Sequence, residues 1–106
     1  MKTSKNSIRL GEEGSVHLGG DLTFESTPAI YEELESRFET TGEVITVDLG
    51  DVERCDSACL ALLLEWQAMA NRQQRKLRIK NAPGILLQLA KLCEADKLLD
   101  LSSRTA

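Results

Sequence analysis

Two adjacent residues, Asp56 and Ser57, carry the side chains best placed for chemistry in this chain. They lie between a β-branched apolar run at 44–49 and a leucine-rich run at 58–64, and so mark the start of a helix. Either side chain can accept a hydrogen bond from a free N–H of the first helical turn. The same helix end stabilises anions through its unpaired N–H groups and its dipole. A phosphate on Ser57 would bring about −1.5 to −2 charges to that end. The helix would favour it and Asp56 would oppose it. Ser57 is thus a candidate cap and a candidate phosphorylation site, on a surface that a modification could recharge without unfolding the core.

Other constellations are thinner. His17 is the only histidine, on the outward phase of an early strand, so any nucleophile with a histidine base would depend on it. Asp48, Asp51, Glu53 and Asp56 could in principle transfer protons or hold Mg²⁺, but their setting reads as turn solvation and capping. Asp48 sits inside an apolar run and needs a donor or water there. Cys55 and Cys59 lie four apart with no second Cys or His pair to complete a zinc site. They read as compact buried hydrophobes. Neither GxGxxG nor GxxxxGK[ST] occurs. No catalytic residue, metal or cofactor is therefore expected, and the chain reads as non-enzymatic.

Its bulk properties agree. A length of 106 residues fits one domain, with 42% hydrophobic and 28% charged residues. Only 4% are aromatic, so aliphatic side chains must fill the core. A net charge of −4 argues against nucleic acid, which needs clustered Lys and Arg. The one basic cluster, Arg72, Arg75, Lys76, Arg78 and Lys80, reads as a solvated helix end and strand face. Three cysteines without a secretory signal do not suggest a disulfide framework. The longest apolar run is far short of the roughly 20 residues of a membrane span. A cytoplasmic location is expected, with any membrane association through a partner.

The elements that position Asp56 and Ser57 follow from periodicity. Ile8 and Leu10, then Val16 and Leu18, alternate with polar residues around a glycine turn, predicting an N-terminal hairpin. Gly19-Gly20-Asp21 is expected to break the second strand. Ser26-Thr27-Pro28 opens a helix carrying Ile30, Tyr31, Leu34 and Phe38, and Gly42 stops it. The run 44–49 predicts a central strand covered on both faces, followed by a polar loop at 51–55. The helix from Ser57, apolar all round over its first two turns, should be deeply buried until Asn71-Arg72-Gln73-Gln74 ends it. Leu77 and Ile79 alternate with Lys76, Arg78 and Lys80 in a strand with one wet face. A further helix opens at Asn81-Ala82-Pro83-Gly84 with a stripe of Leu86, Leu89, Ala90 and Cys93. Residues 95–101 add a short helix or strand, and 102–106 read as a tail. The expected fold class is α/β: a mixed, mostly parallel sheet of about four strands with an N-terminal hairpin and three to four helices. The domain is expected over 7–101, with flexible ends at 1–6 and 102–106.

In this order, Leu18-Gly19-Gly20-Asp21-Leu22, Val47-Asp48-Leu49 leading to Asp56-Ser57, the leucine-rich helix, and Asn81-Ala82-Pro83 resemble the STAS family. This domain is shared by sulphate transporters and anti-sigma factor antagonists. Leu60-Ala61-Leu62-Leu63-Leu64 and Leu89-Ala90-Lys91-Leu92 resemble its MlaB-like branch most. That resemblance implies an accessory subunit of a phospholipid-transporting ABC transporter that maintains outer-membrane lipid asymmetry. It implies binding to an ATPase subunit of the MlaF type and, through it, to the permease, without direct membrane insertion. The binding or regulatory surface would be Glu53, Arg54, Asp56, Ser57, Ala58 and Cys59. The alternative that the family implies is an anti-sigma factor antagonist phosphorylated on Ser57 by an anti-sigma factor kinase. Where the family often has glycine, this chain has Cys59, a side chain expected to hinder a docking kinase.

Overall fold

A computed structural model describes residues 6–10, 15–23, 25, 30–32 and 42–103. Among these residues, five strands form one sheet: β1 (Asn6–Leu10), β2 (Ser15–Leu22), β3 (Val44–Cys55), β4 (Lys76–Ala82) and β5 (Asp100–Ser103). Helix α1 (Ser57–Arg72) joins β3 to β4. Helix α2 (Gly84–Leu92) and a 3₁₀ turn (Ala95–Lys97) join β4 to β5. The strands lie in sequence order; β1 pairs with β2 antiparallel and every later pair is parallel. The fold is thus the expected α/β domain, a parallel sheet extended by an antiparallel hairpin.

That strand order decides which faces are covered. Parallel crossovers are almost always right-handed. When each new strand is added on the same side of the last, right-handed crossovers carry all the helices to one face. Burial follows: Val16, Leu18, Ile45, Val47, Leu49, Leu77 and Ile79 are buried and share a core with Ile30, with Leu63 and Trp66 of α1 and with Leu86 of α2. Their strand neighbours point the other way. Ser15, His17, Thr46 and Asp48 are half-buried, and Lys76, Arg78 and Lys80 are exposed. The expectation that β3 is covered on both faces is therefore corrected: its outer face is polar and partly wet.

Further boundaries differ from the sequence reading. Gly19-Gly20-Asp21 does not end β2 but bends it. The pairing with β3 shifts register between His17 and Gly19 and again between Gly20 and Asp21. Gly20 has φ of 83°, a left-handed value that glycine adopts without a Cβ clash. The polar segment 51–55 is strand rather than loop, because β2 continues alongside it: Asp51 pairs with Gly19, Val52 with Gly20, Arg54 with Asp21 and Cys55 with Leu22. Residues 95–101 supply both of the elements anticipated, the 3₁₀ turn and β5. Since β1 starts at Asn6 and β5 ends at Ser103, the end strands reach beyond the limits expected at 7 and 101. Of the helix expected after Pro28, residues Ile30, Tyr31 and Glu32 are helical; its start, Leu34 and Phe38 lie outside the described residues. Cys93 follows α2 and is exposed, so it is not part of that helix's buried stripe. No helix among the described residues is long and apolar enough to cross a membrane.

Candidate functional site

The pairing of β3 with β4 ends at Asp48 and Lys80, so the last residues of β3 continue alongside β2 only. Here only Val52 of residues 50–54 is buried, whereas Asp51, Glu53 and Arg54 are exposed. The chain then turns at Asp56, whose N–H donates to the Leu22 carbonyl at 3.4 Å. This bond ties the turn to the end of the neighbouring strand.

Asp56 is the N-cap of α1. Its backbone is extended, with φ −133° and ψ −165°, and its carboxylate accepts the Ala58 N–H. That bond is 2.9 Å long and partly buried. The Asp56 carbonyl accepts the Cys59 N–H, also at 2.9 Å. Between the two possible caps, the choice falls on the carboxylate. Ser57 is the first helical residue and is exposed, its hydroxyl not used as the cap.

The other side chains expected at the site divide by face. Glu53, Arg54 and Ser57 are each exposed, and Ala58 is half-buried. Cys59 is 0% exposed and faces the core. It cannot touch a partner directly, nor can it stand in the way of a docking kinase. Its thiol is held above its ordinary pKa, first by the hydrogen-bond contact with the Cys55 thiol, then by burial and by the charges of Cys55 and Asp56. Asp56 and Ser57 thus lie between two cysteines, Cys55 half-buried and Cys59 fully buried.

Two features of this region are not evident from apolar runs. The first is an exposed strip on α1. Ala61, Glu65 and Ala68 are exposed at helical spacing from Ser57, although Ala61 lies in a run that reads as buried all round. The periodicity of 3.6 counted from Ser57, rather than from the leucines, is the signal that finds it. The second lies on the outer sheet face. Asp48 Oδ1 accepts the Gly50 N–H at 2.8 Å and the Asn81 Nδ2–H at 2.9 Å. Its Oδ2 lies 3.5 Å from His17 Nδ1. The Gly50 and Asn81 N–H groups are the donors that a carboxylate within a strand requires. Burial raises the Asp48 pKa, but the bonds from Asn81 and Gly50 and the charges of His17 and Lys80 outweigh it, leaving the pKa below its ordinary value. Among the described residues, no group of three or more His, Cys, Asp or Glu side chains is placed to hold a metal ion.

A rigid, capped helix start with an outward serine beside a polar strand end is the geometry to set against known proteins. The family model described as "Mlab, STAS domain" matches residues 8–100. The chain belongs to the STAS family. STAS domains are generally binding or regulatory modules rather than enzymes. Among solved structures, the chain is similar to the anti-sigma factor antagonist SpoIIAA in its unphosphorylated form, with TM-score 0.71 and 11% identity over 93% of this chain and 89% of that one. It is also similar to an anti-sigma factor antagonist from Mycobacterium paratuberculosis, with TM-score 0.72 and 16% identity over 97% of this chain and 87% of that one. At these identities the likeness is one of fold. No match is found among curated protein sequences.

Proposed function

We propose that this STAS domain is a non-enzymatic accessory subunit of a phospholipid-transporting ABC transporter. It binds the ATPase subunit through the face of Glu53, Arg54, Ser57 and the edge of Ala58, and supports the assembly or activity of a complex that maintains outer-membrane lipid asymmetry. It works on the cytoplasmic side and reaches the membrane only through that partner. The observation that carries this reading is the outward Ser57 hydroxyl, not used as the cap, on a helix start that Asp56 caps and the core holds. Small exposed residues along the same strip, Ala61 and Ala68, let a partner's backbone come close. The MlaB description of the matching family model supports the choice of partner.

The test is co-purification of the tagged domain with the ATPase subunit. Ser57→Arg places bulk and charge at the centre of the face and should abolish the complex, while circular dichroism and the unfolding midpoint stay unchanged. A complex that survives Ser57→Arg refutes this docking face.

A second reading has its own support, since both of the solved structures described above are anti-sigma factor antagonists. In that reading an anti-sigma factor kinase phosphorylates Ser57. The buried side chain of Cys59 leaves the exposed approach to Ser57 open. Phosphate mass on Ser57 after incubation with such a kinase would favour this reading; its absence, together with an ATPase complex sensitive to Ser57→Arg, favours the transporter.

A further inference from the structure

We propose that the groove between α2 and β5 binds a single-chain amphiphile whose head carries both a phosphate and an ammonium group, as a lysophospholipid does. The groove has a volume of about 500 Å³, within the roughly 300–1,000 Å³ typical of small-molecule sites. Its apolar walls are Leu87 of α2, Leu99 just before β5 and Leu101 within it. Leu99 is buried, whereas Leu87 and Leu101 are half-buried, so part of this apolar lining still meets solvent. Among the described residues, the large apolar side chains that are exposed are Ile85, Leu92 and Leu98. All three belong to α2 or to the short segment that follows it. Exposed apolar residues scattered singly need no explanation, but their concentration in one region marks a binding surface.

The other lining residues decide the chemistry of the head. Gly84, Gln88 and Lys91 follow one another at i, i+4 and i+7 along one side of α2. Gly84 leaves that end of the groove open, since a Cβ placed there would meet nothing within 4 Å. Seven residues of helical rise set Lys91 about 10 Å further along. There Asp96 of the 3₁₀ turn joins Lys91 in the lining. Both side chains are exposed, and among the described residues neither enters an ion pair or a side-chain hydrogen bond. An unpaired cation and an unpaired anion at one end of an apolar groove are complementary to a head with both signs. The Lys91 ammonium takes the phosphate, and the Asp96 carboxylate takes the ammonium. A fatty carboxylate would suit Lys91 but be opposed by Asp96, and a cationic amphiphile would meet the reverse. The alkyl chain then lies over Leu87, Leu99 and Leu101 and points towards Gly84. None of these residues belongs to the proposed docking face, so the inference does not rest on the accessory-subunit reading.

The test is isothermal titration calorimetry of the full chain with lauroyl lysophosphatidylethanolamine, kept below its critical micelle concentration. The expected result is one-to-one binding with a negative heat-capacity change, the mark of apolar burial. Laurate and dodecyltrimethylammonium each satisfy one rim charge and should bind roughly two- to fivefold more weakly, the worth of one exposed ion pair. Glycerophosphoethanolamine, which has the head without the chain, should give no heat of binding. Gly84→Leu fills the open end and should weaken lysolipid binding about tenfold or more, as overpacking does. Its urea midpoint should not fall, because leucine is a better helix former than glycine. Lys91→Glu tests the same site from the surface, without touching its packing. It should invert the preference, so that dodecyltrimethylammonium binds more tightly than laurate or the lysolipid. Equal affinity of the wild type for all three amphiphiles, uptake of many molecules per chain, or a Gly84→Leu variant that binds like the wild type overturns the site. So does an order of preference that Lys91→Glu leaves unchanged. No ATPase subunit enters the assay, so failure here is separate from failure of the docking face.

Discussion

Replacing Asp56 by alanine tests the assignment on which the site rests. The substitution removes the acceptor of the 2.9 Å bond from Ala58 N–H. Loss of an N-cap side chain costs about 1 kcal/mol, within a range of about 0.5–2. Loss of a carboxylate from the positive end of the helix dipole accounts for about 0.3–1 kcal/mol of that kind of effect. Asp56→Asn keeps an acceptor and should forfeit only this smaller electrostatic part. Ser57→Ala removes an exposed hydroxyl that makes no cap and should change stability by less than about 0.5 kcal/mol. None of these variants should unfold the domain. Helix α1 is also held by the buried side chains of Leu60, Leu62, Leu63, Trp66 and Met69, and each large one contributes about 1.5–3 kcal/mol on burial. The assay is urea unfolding at neutral pH, followed by the fluorescence of Trp66, the one tryptophan, which is fully buried. The midpoint should fall in the order Ser57→Ala, Asp56→Asn, Asp56→Ala with an unchanged m-value. If Ser57→Ala costs as much as Asp56→Ala, the hydroxyl shares the capping and Ser57 is not free to serve a partner.

Two further predictions concern the outer sheet face. A Cβ added at Gly50 would lie 3.1 Å from Asp48 Oδ1, an oxygen fixed by bonds from Gly50 and Asn81. Gly50→Ala should therefore cost about 1 kcal/mol as overpacking. In an Asp48→Ala background the obstacle is gone, and the reduced freedom of the unfolded chain should make the same change neutral or stabilising by about 0.5 kcal/mol; equal costs in the two backgrounds, measured by urea unfolding, would refute the contact. The second prediction is acid sensitivity. Because the folded-state pKa of Asp48 is lowered, the unfolded state binds more protons between the folded and unfolded values. The contribution of Asp48 is present above its ordinary value of 3.8 and is lost as pH falls through the folded value. Wild-type stability should drop more steeply below that point than the stability of Asp48→Asn; parallel acid limbs would show that Asp48 is not preferentially ionised in the fold.

Much of the architecture is legible because periodicity reports burial. The alternation of Val16 and Leu18 with Ser15 and His17, and of Leu77 and Ile79 with three cationic residues, places each strand and its inner face. The reading fails where a residue's role is set by a neighbouring strand. Gly19 and Gly20 carry the composition of a strand end, yet the parallel ladder with β3 continues through them by shifting register. Residues 51–55 are polar because β4 no longer pairs alongside them, not because they form a loop. Val44 to Leu49 read as doubly covered because Val44 and Thr46 are compatible with burial. Their half-exposure follows from strand order, which no single stretch of sequence encodes.

At the site, composition identifies the position and geometry divides the labour. Asp, Ser and Cys within four residues look like one cluster of reactive groups. The helix separates them by angle: the carboxylate turns back to the Ala58 amide, the hydroxyl faces outward, and the Cys59 thiol turns inward to the core. Each residue type is suited to the direction it takes. An acceptor near the helix axis satisfies orphan N–H groups, a hydroxyl on the surface can meet a partner, and a weakly polar thiol tolerates the core. The three roles are then mechanically linked, because Ser57 stands between the cap and the buried sulfur. A substitution that weakens the Asp56 cap or the packing around Cys59 should therefore disturb the Ser57 hydroxyl as well, although neither side chain is exposed.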